Sequence, residues 1–244
     1  MKRIAFLGAK GIGLECLKIL DAKNFPIAAL FTDLTRNKEA NQKLIDFAKE
    51  RNIPVYEDLE AILSLPGFDY IISIQYHKIL KGKHIGCAKK LALNLHMAPL
   101  PEYRGCNQFS FAIVDGKKEF GTTLHKMAEG IDNGDIIAES RFDIPANCFV
   151  KELHEITYQK SIRLFEDKIS DILSDRYTLT PQDSLVPVRG TKTIYRKDID
   201  KLKEINLDWD KDRIERHIRA TLMPGFEPPF FKMNDKKVYF SLFA

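Results

Sequence analysis

An α/β fold is what this sequence predicts: a mostly parallel sheet covered on both faces, with a small C-terminal α+β subdomain containing a β-hairpin. Three observations carry the prediction. Short apolar runs alternate with amphipathic segments along most of the chain, as strands and crossover helices do. The first run ends in a glycine turn, Gly8-Ala9-Lys10-Gly11-Ile12-Gly13, that leads into an amphipathic segment. After Tyr177 the texture changes to prolines, charge and short apolar runs. The boundaries are accordingly set at 1–184 for the main domain and 185–244 for the subdomain.

Residues 4–7 predict the first strand. Leu14, Leu17 and Leu20 then recur at i+3 steps between Glu15, Lys18 and Asp21, which predicts a helix. Residues 26–31 predict the second strand. A helix follows over 38–50, where Leu44, Ile45 and Phe47 sit among polar residues. Residues 53–56 and 70–74 predict two more strands, and 91–96 the last parallel one. A helix over 106–114 is ended by Asp115-Gly116. Strands over 122–127 and 135–142 precede the longest helix, over 149–173. In the tail, Pro181 and Pro187 bracket a loop, 197–206 is charged, and 213–223 predicts a short amphipathic helix. Pro224-Gly225, Pro228 and Pro229 break the chain. Residues 230–233 and 236–243 flank Asn234-Asp235, which predicts the hairpin.

A chain of 244 residues with 44% hydrophobic content buries a full core. Its 38 basic and 34 acidic residues leave a net charge of only +4. That balance is too mild to select nucleic acid as a partner. Cys16, Cys87, Cys106 and Cys148 lie far apart and form no C-x-x-C, so no metal or redox use is expected and a reducing cytoplasm is the simple reading. Lys10, Glu15 and Lys18 interrupt the apolar start, so neither a signal peptide nor a membrane span is expected.

The most informative stretch is 91–105. Leu91, Leu93 and Leu95 alternate with Ala92, Asn94 and His96. With a side-chain period of two, the leucines pack one face while Asn94 and His96 share the other. The strand stops in a turn holding Pro99 and Pro101. An amide and an imidazole at the carboxyl end of a buried strand lie where open α/β sheets place ligand sites. Further on, Glu129-Gly130-Ile131-Asp132-Asn133-Gly134-Asp135 is a loop rich in carboxylates, whose bland reading is turn chemistry.

Asn94-x-His96, the Leu100-Pro101-x-Tyr103-Arg104-Gly105 turn and Asp132-x-Gly134 resemble, in this order, the signature of folate-dependent formyltransferases. That family includes methionyl-tRNA formyltransferase, glycinamide ribonucleotide transformylase and the sugar N-formyltransferases. Residues 104–113 and 116–125 are similar to the sugar enzymes almost throughout. The likeness runs through the long helix and more weakly to the end. It implies a Rossmann-like frame, the formyltransferase fold. It also implies that His96 accepts a proton, that Asn94 donates to the oxyanion, and that Asp132 holds His96 or a relaying water. The segment 73–80 would line the folate pocket, with Gln75, Tyr76, Ile79 and Leu80 as the contacts. Without the resemblance these four are ordinary strand-end and helix-start residues.

Gly8, Lys10, Met97, Arg104 and Asn107 are the positions assigned to the acceptor. Residues 8–13 read G-x-x-G-x-G, so a dinucleotide fingerprint fails, although Asp33 follows the second strand. Either a phosphate sits at this helix start, with Lys10 adding charge, or the glycines serve tight strand-to-helix packing. Arg104 suits a pyrophosphate or a surface salt bridge. Asn107, with Gln108, caps a helix or contacts a sugar. For Phe226, Phe230, Phe231, Tyr239, Phe240 and Phe243 three readings stand: subdomain core, first, then a base-stacking surface or a dimer face. One departure from the family pattern is His96-Met97-Ala98-Pro99, where many members carry a serine after the position held here by Met97; this looks like the sugar branch.

The resemblance thus implies a sugar N-formyltransferase. It would move the formyl group of 10-formyltetrahydrofolate onto a nucleotide-linked, dTDP-type, 3- or 4-amino-dideoxyhexose for surface polysaccharide. Methionyl-tRNA formyltransferase is the alternative, against which stand the modest charge and a tail short for a tRNA-binding domain. Glycinamide ribonucleotide transformylase leaves the C-terminal hairpin unexplained. A non-catalytic nucleotide-binding protein has no need of Asn94, His96 and Asp132 together. A cytoplasmic homodimer with no nucleic-acid, membrane or metal partner is expected.

Overall fold

Seven strands form one sheet in the computed structural model, which describes residues 2–35 and 38–241. Five are parallel: β1 (Ile4–Gly8), β2 (Ile27–Phe31), β3 (Val55–Tyr56), β4 (Phe68–Ile74) and β5 (Ala88–His96). After a two-residue strand β6 (Arg104–Gly105) come β7 (Glu119–Lys126) and β8 (Ile136–Asp143), which continue the sheet antiparallel. The order is β3-β2-β1-β4-β5-β7-β8, so β5 is the last parallel strand, as the sequence predicts. The crossovers carry α1 (Lys10–Ala22), α2 (Lys38–Glu50), a 3-10 turn at Leu59–Leu63 and the single turn α3 (Gly82–Ile85). Then follow α4 (Gln108–Val114) and the long α5 (Val150–Leu173).

Alternation along the strands sorts the core into two layers. Ile4, Phe6, Tyr70, Ile72, Leu91, Leu93 and Leu95 meet Leu17 of α1 and Leu164, Phe165 and Ile169 of α5. Ala5, Leu7, Ile71 and Ala92 meet Leu59, Ile62 and Leu80 on the other face. Burying one such aliphatic side chain contributes about 1.5–3 kcal/mol. Gly13 lets α1 close on the sheet, since a Cβ there would lie 3.3 Å from the Gly8 carbonyl carbon. Thr157 and Ser161 are the polar exceptions on the buried face of α5. Ser161 Oγ is 2.7 Å from Thr122 Oγ1, which ties α5 to β7.

The tail holds α6 (Val186–Arg189), β9 (Thr193–Ile194), α7 (Asp200–Lys203), α8 (Lys211–Thr221) and a hairpin of β10 (Phe230–Met233) and β11 (Lys236–Tyr239). Asn234 and Asp235 both have positive φ, 48° and 61°, as a two-residue hairpin turn of the primed type requires. The expected strand to Phe243 ends at Tyr239 among the described residues, and Phe243 itself lies outside them. Residues 181–187, read as a loop, contain a 3-10 turn and the start of α6; the charged stretch 197–206 contains α7. The helix expected from 106 starts at Gln108, because Asn107 is left-handed at φ 57°.

The first part of the tail is built into the main domain. β9 pairs in parallel with β6, Arg104 opposite Thr193 and Gly105 opposite Ile194. Ile194 and Ala220 share a buried cluster with Tyr103, Phe120 and Leu153. No helix among the described residues is long and apolar enough to cross a membrane.

Candidate active site

The switch from parallel to antiparallel pairing at β5 sets the site. In the β5–β7 register Asn94 stands opposite His125 and His96 opposite Thr123. Asn94 and His96 point away from the leucine layer, as the period-two pattern requires. Asn94 Nδ2 donates to His125 Nε2 at 3.0 Å. His125 Nδ1 lies 2.9 Å from the Lys126 carbonyl, which only accepts, so Nδ1 carries the proton and Nε2 is left as the acceptor. By the same reasoning His96 Nε2–H donates to the Tyr103 carbonyl at 2.8 Å. The basic Nδ1 of His96 then faces Asp132 Oδ2 at 3.6 Å.

Asp132 completes the group. Its Oδ2 accepts the Gly105 N–H at 2.9 Å, and its Oδ1 lies 3.5 Å from Asn94 Nδ2 and 3.7 Å from His125 Nε2. Burial alone would raise this carboxyl. The charged forms of His96 and His125, with the Gly105 N–H, outweigh it and hold the group well below the ordinary carboxylate range. Asp132 is therefore an anion at neutral pH, placed to pair with an imidazolium formed on His96. Asn94 retains a second amide hydrogen, whose nearest acceptor, Asp132 Oδ1, is at the limit of hydrogen bonding.

These groups lie in a cleft of about 700 Å³. Of the residues predicted from sequence, the structure brings Asn94, His96, Asp132, Gln75, Tyr76, Ile79, Leu80 and Lys10 together there. Gln75 turns the chain out of β4 with φ 54°. Leu80 is buried, while Ile79 is 72% exposed. The Tyr76 hydroxyl is buried without a hydrogen-bond partner among the described residues, and burial, with Asp58, Asp33 and Glu57 nearby, pushes its pKa up to about 12. It stays a donor at neutral pH.

Gly8, Met97, Arg104 and Asn107 do not line the cleft. A Cβ on Gly8 would run into the Phe6 ring, and Met97 is buried in the leucine layer. Arg104 binds the amide oxygen of Gln182 through Nε at 3.1 Å and Nη2 at 2.8 Å. Asn107 Nδ2 donates to the carbonyls of Tyr195 and Arg196 and so fastens the tail. Sequence reasoning missed His125, Tyr195, Arg196 and Gln182. Tyr195 (54% exposed) and Phe226 (69% exposed) stand at the mouth with Arg196. Neither Lys10 nor Arg196 has an ion-pair partner among the described residues.

Residues 30–169 match the family model described as formyl transferase. The chain belongs to the formyl transferase family. It is a formyl-transferring enzyme of the fold expected from its sequence. It is 31% identical over 239 residues to the methionyl-tRNA formyltransferase of Clostridium novyi, covering 93% of this chain and 74% of that one. It is 30% identical over 172 residues to the GDP-perosamine N-formyltransferase of Brucella melitensis, covering 70% and 63%. The fold is shared with the Helicobacter canadensis N-formyltransferase solved with folinic acid and dTDP-3-aminofucose, with a TM-score of 0.82 at 23% identity, covering 98% of this chain and 86% of that one.

Proposed function

We propose that this formyltransferase is a sugar N-formyltransferase, carrying the formyl group of 10-formyltetrahydrofolate to the amine of a nucleotide-linked 3- or 4-amino-dideoxyhexose, with dTDP as carrier. The observation that carries the reading is that one cleft gathers two unlike sets of groups around Asn94, His96 and Asp132. The first set, Gln75, Tyr76, Ile79 and Leu80, is largely apolar with a phenol donor and suits a pterin. The second set is the exposed rings of Tyr195 and Phe226 and the cations of Lys10 and Arg196, which have no ion-pair partner among the described residues. Rings and cations suit a base and a diphosphate. The sugar nucleotides named for the Brucella and Helicobacter proteins support the same acceptor class, as does the stretch His96-Met97-Ala98.

In this reading the neutral amine attacks the formyl carbon and the carbonyl oxygen takes up negative charge. Asn94 Nδ2–H donates to that oxygen; donors of this kind are worth about 3–4 kcal/mol. The new C–N bond leaves a positive nitrogen, whose proton passes to His96 Nδ1, and Asp132 stabilises the imidazolium. The bond from the formyl carbon to the folate nitrogen then breaks. That nitrogen takes a proton back, releasing tetrahydrofolate and the formamide. Residues 185–244 supply acceptor contacts and, through the hairpin, a homodimer face. The setting is the cytoplasm, and the product feeds a surface polysaccharide such as an O-antigen.

The likeness to the Clostridium enzyme favours methionyl-tRNA as the second reading. A thermal-shift panel separates the two. A ligand specific for the folded state at about 100 times its dissociation constant adds about 2.7 kcal/mol. Stabilisation by a folate analogue and one nucleotide amino sugar is expected. Stabilisation by the folate analogue alone contradicts the sugar reading.

A further inference from the structure

We infer that Gln182 and Arg104 are positioning residues of formyl transfer, which together hold the Asp132 carboxylate against His96 and His125 from outside the cleft. The inference rests on the role given to Asp132, not on the identity of the acceptor. Asp132 has a left-handed backbone at φ 47°. Asp tolerates this region better than most side chains, and which conformation the loop keeps is then set by what surrounds it. Gln182 holds that conformation from 50 residues away. Its Nε2 donates to the Asp132 carbonyl at 2.8 Å and to the Gly134 carbonyl at 2.6 Å. Its Oε1 accepts both Arg104 bonds. All four hydrogen-bonding positions of the amide are used, and the residue is 4% exposed.

Arg104 in turn immediately precedes Gly105, whose N–H grips the carboxylate itself. One pair of side chains thus braces both the backbone of Asp132 and the peptide that aims its carboxylate. The loop has little room to settle otherwise. A Cβ on Gly134 would run into the Lys126 carbonyl oxygen, and one on Gly105 into the Ile194 carbonyl oxygen. Buried networks that are fully satisfied make a local structure rigid. Neither Gln182 nor Arg104 lines the cleft, so they act through Asp132 rather than on substrate.

The test uses Gln182→Met, Arg104→Ala and the double variant. Gln182→Met keeps the bulk and removes all four hydrogen bonds. kcat, both KM values and Tm are measured with whichever amine acceptor the wild type turns over. The wild-type rate then reports on the acceptor reading, and the ratio of variant to wild type reports on this one. Gln182→Met should lower kcat by about 100-fold, the cost of roughly 1 Å of misplacement, with KM nearly unchanged. Arg104→Ala should lower kcat less, and should add nothing in the Gln182→Met background. Gln182→Glu keeps the acceptor for Arg104 but loses the donors to both carbonyls, and gives the same readout if Gln182→Met does not fold. A lower Tm with unchanged kcat per folded molecule would overturn the inference, leaving a structural role only. So would Arg104→Ala raising the acceptor KM in both backgrounds, which would make it a direct anion contact.

Discussion

Asp132→Asn is the sharpest test of the site's electrostatics, because it keeps the shape of the side chain and its contact with the Gly105 N–H while removing the charge. A proton arriving on His96 Nδ1 creates a positive charge 3.6 Å from Asp132 Oδ2. At an effective dielectric of about 20 that pair is worth about 5 kcal/mol. The carboxylate is 18% exposed, so solvent takes a share. Leaving about 4 kcal/mol for the transition state, kcat should fall by about 1,000-fold. The assay is steady-state release of tetrahydrofolate, with KM for folate and acceptor measured alongside. The charge acts only as the proton moves, so both KM values should stay close to wild type. A kcat within about tenfold of wild type, or a loss carried entirely by KM, would refute the reasoning.

His125→Phe keeps a ring but removes the acceptor that orients Asn94. It should cost about tenfold in kcat, one ordinary hydrogen bond, with folate-analogue affinity unchanged in a binding titration. Lys10→Ala and Arg196→Ala should each raise the KM for a nucleotide sugar without lowering kcat, and less so at high salt, as salt-dependent steady-state kinetics would show. Burial holds the His217 imidazole below its ordinary value of 6.5, with Arg213 and Arg216 acting in the same direction, and burial and Lys10 do so for His154. The unfolded chain therefore binds more protons just below that value, so stability is complete above it and is lost as pH falls toward the folded-state values. His217→Asn retains a donor for the Leu202 carbonyl and should flatten the fall of Tm between about pH 7 and 5. An unchanged slope would count against the cause given.

The parts of the fold with strong local periodicity are legible in the sequence. Leu91 to His96 alternate because a strand buried on one face must, and that alternation alone puts Asn94 and His96 on one face. Gly8 and Gly13 allow two readings by sequence; in the structure a Cβ on Gly13 would crowd the Gly8 backbone, and one on Gly8 would run into the Phe6 ring. What escapes depends on distant pairing. His125 is an ordinary strand histidine until the antiparallel register sets it opposite Asn94. Gln182 sits in a proline-flanked stretch with no period, and its partners lie about 50 and 80 residues upstream. β6 and β9 are two residues each, too short for any alternation to show, yet their pairing brings Tyr195 and Arg196 to the cleft. The charge of Arg104 suggests an anion, whereas its position beside Gln182 gives it an internal partner.

The most direct measurement is a turnover assay of the whole chain with 10-formyltetrahydrofolate, read by mass spectrometry of the acceptor. Amino sugars linked to dTDP, UDP and GDP are tested in parallel with methionyl-tRNA. One formyl group on the amine of a dTDP-linked amino sugar, released together with tetrahydrofolate and lost in His96→Asn, is the predicted result. Formylated methionyl-tRNA with every nucleotide sugar unchanged would contradict it.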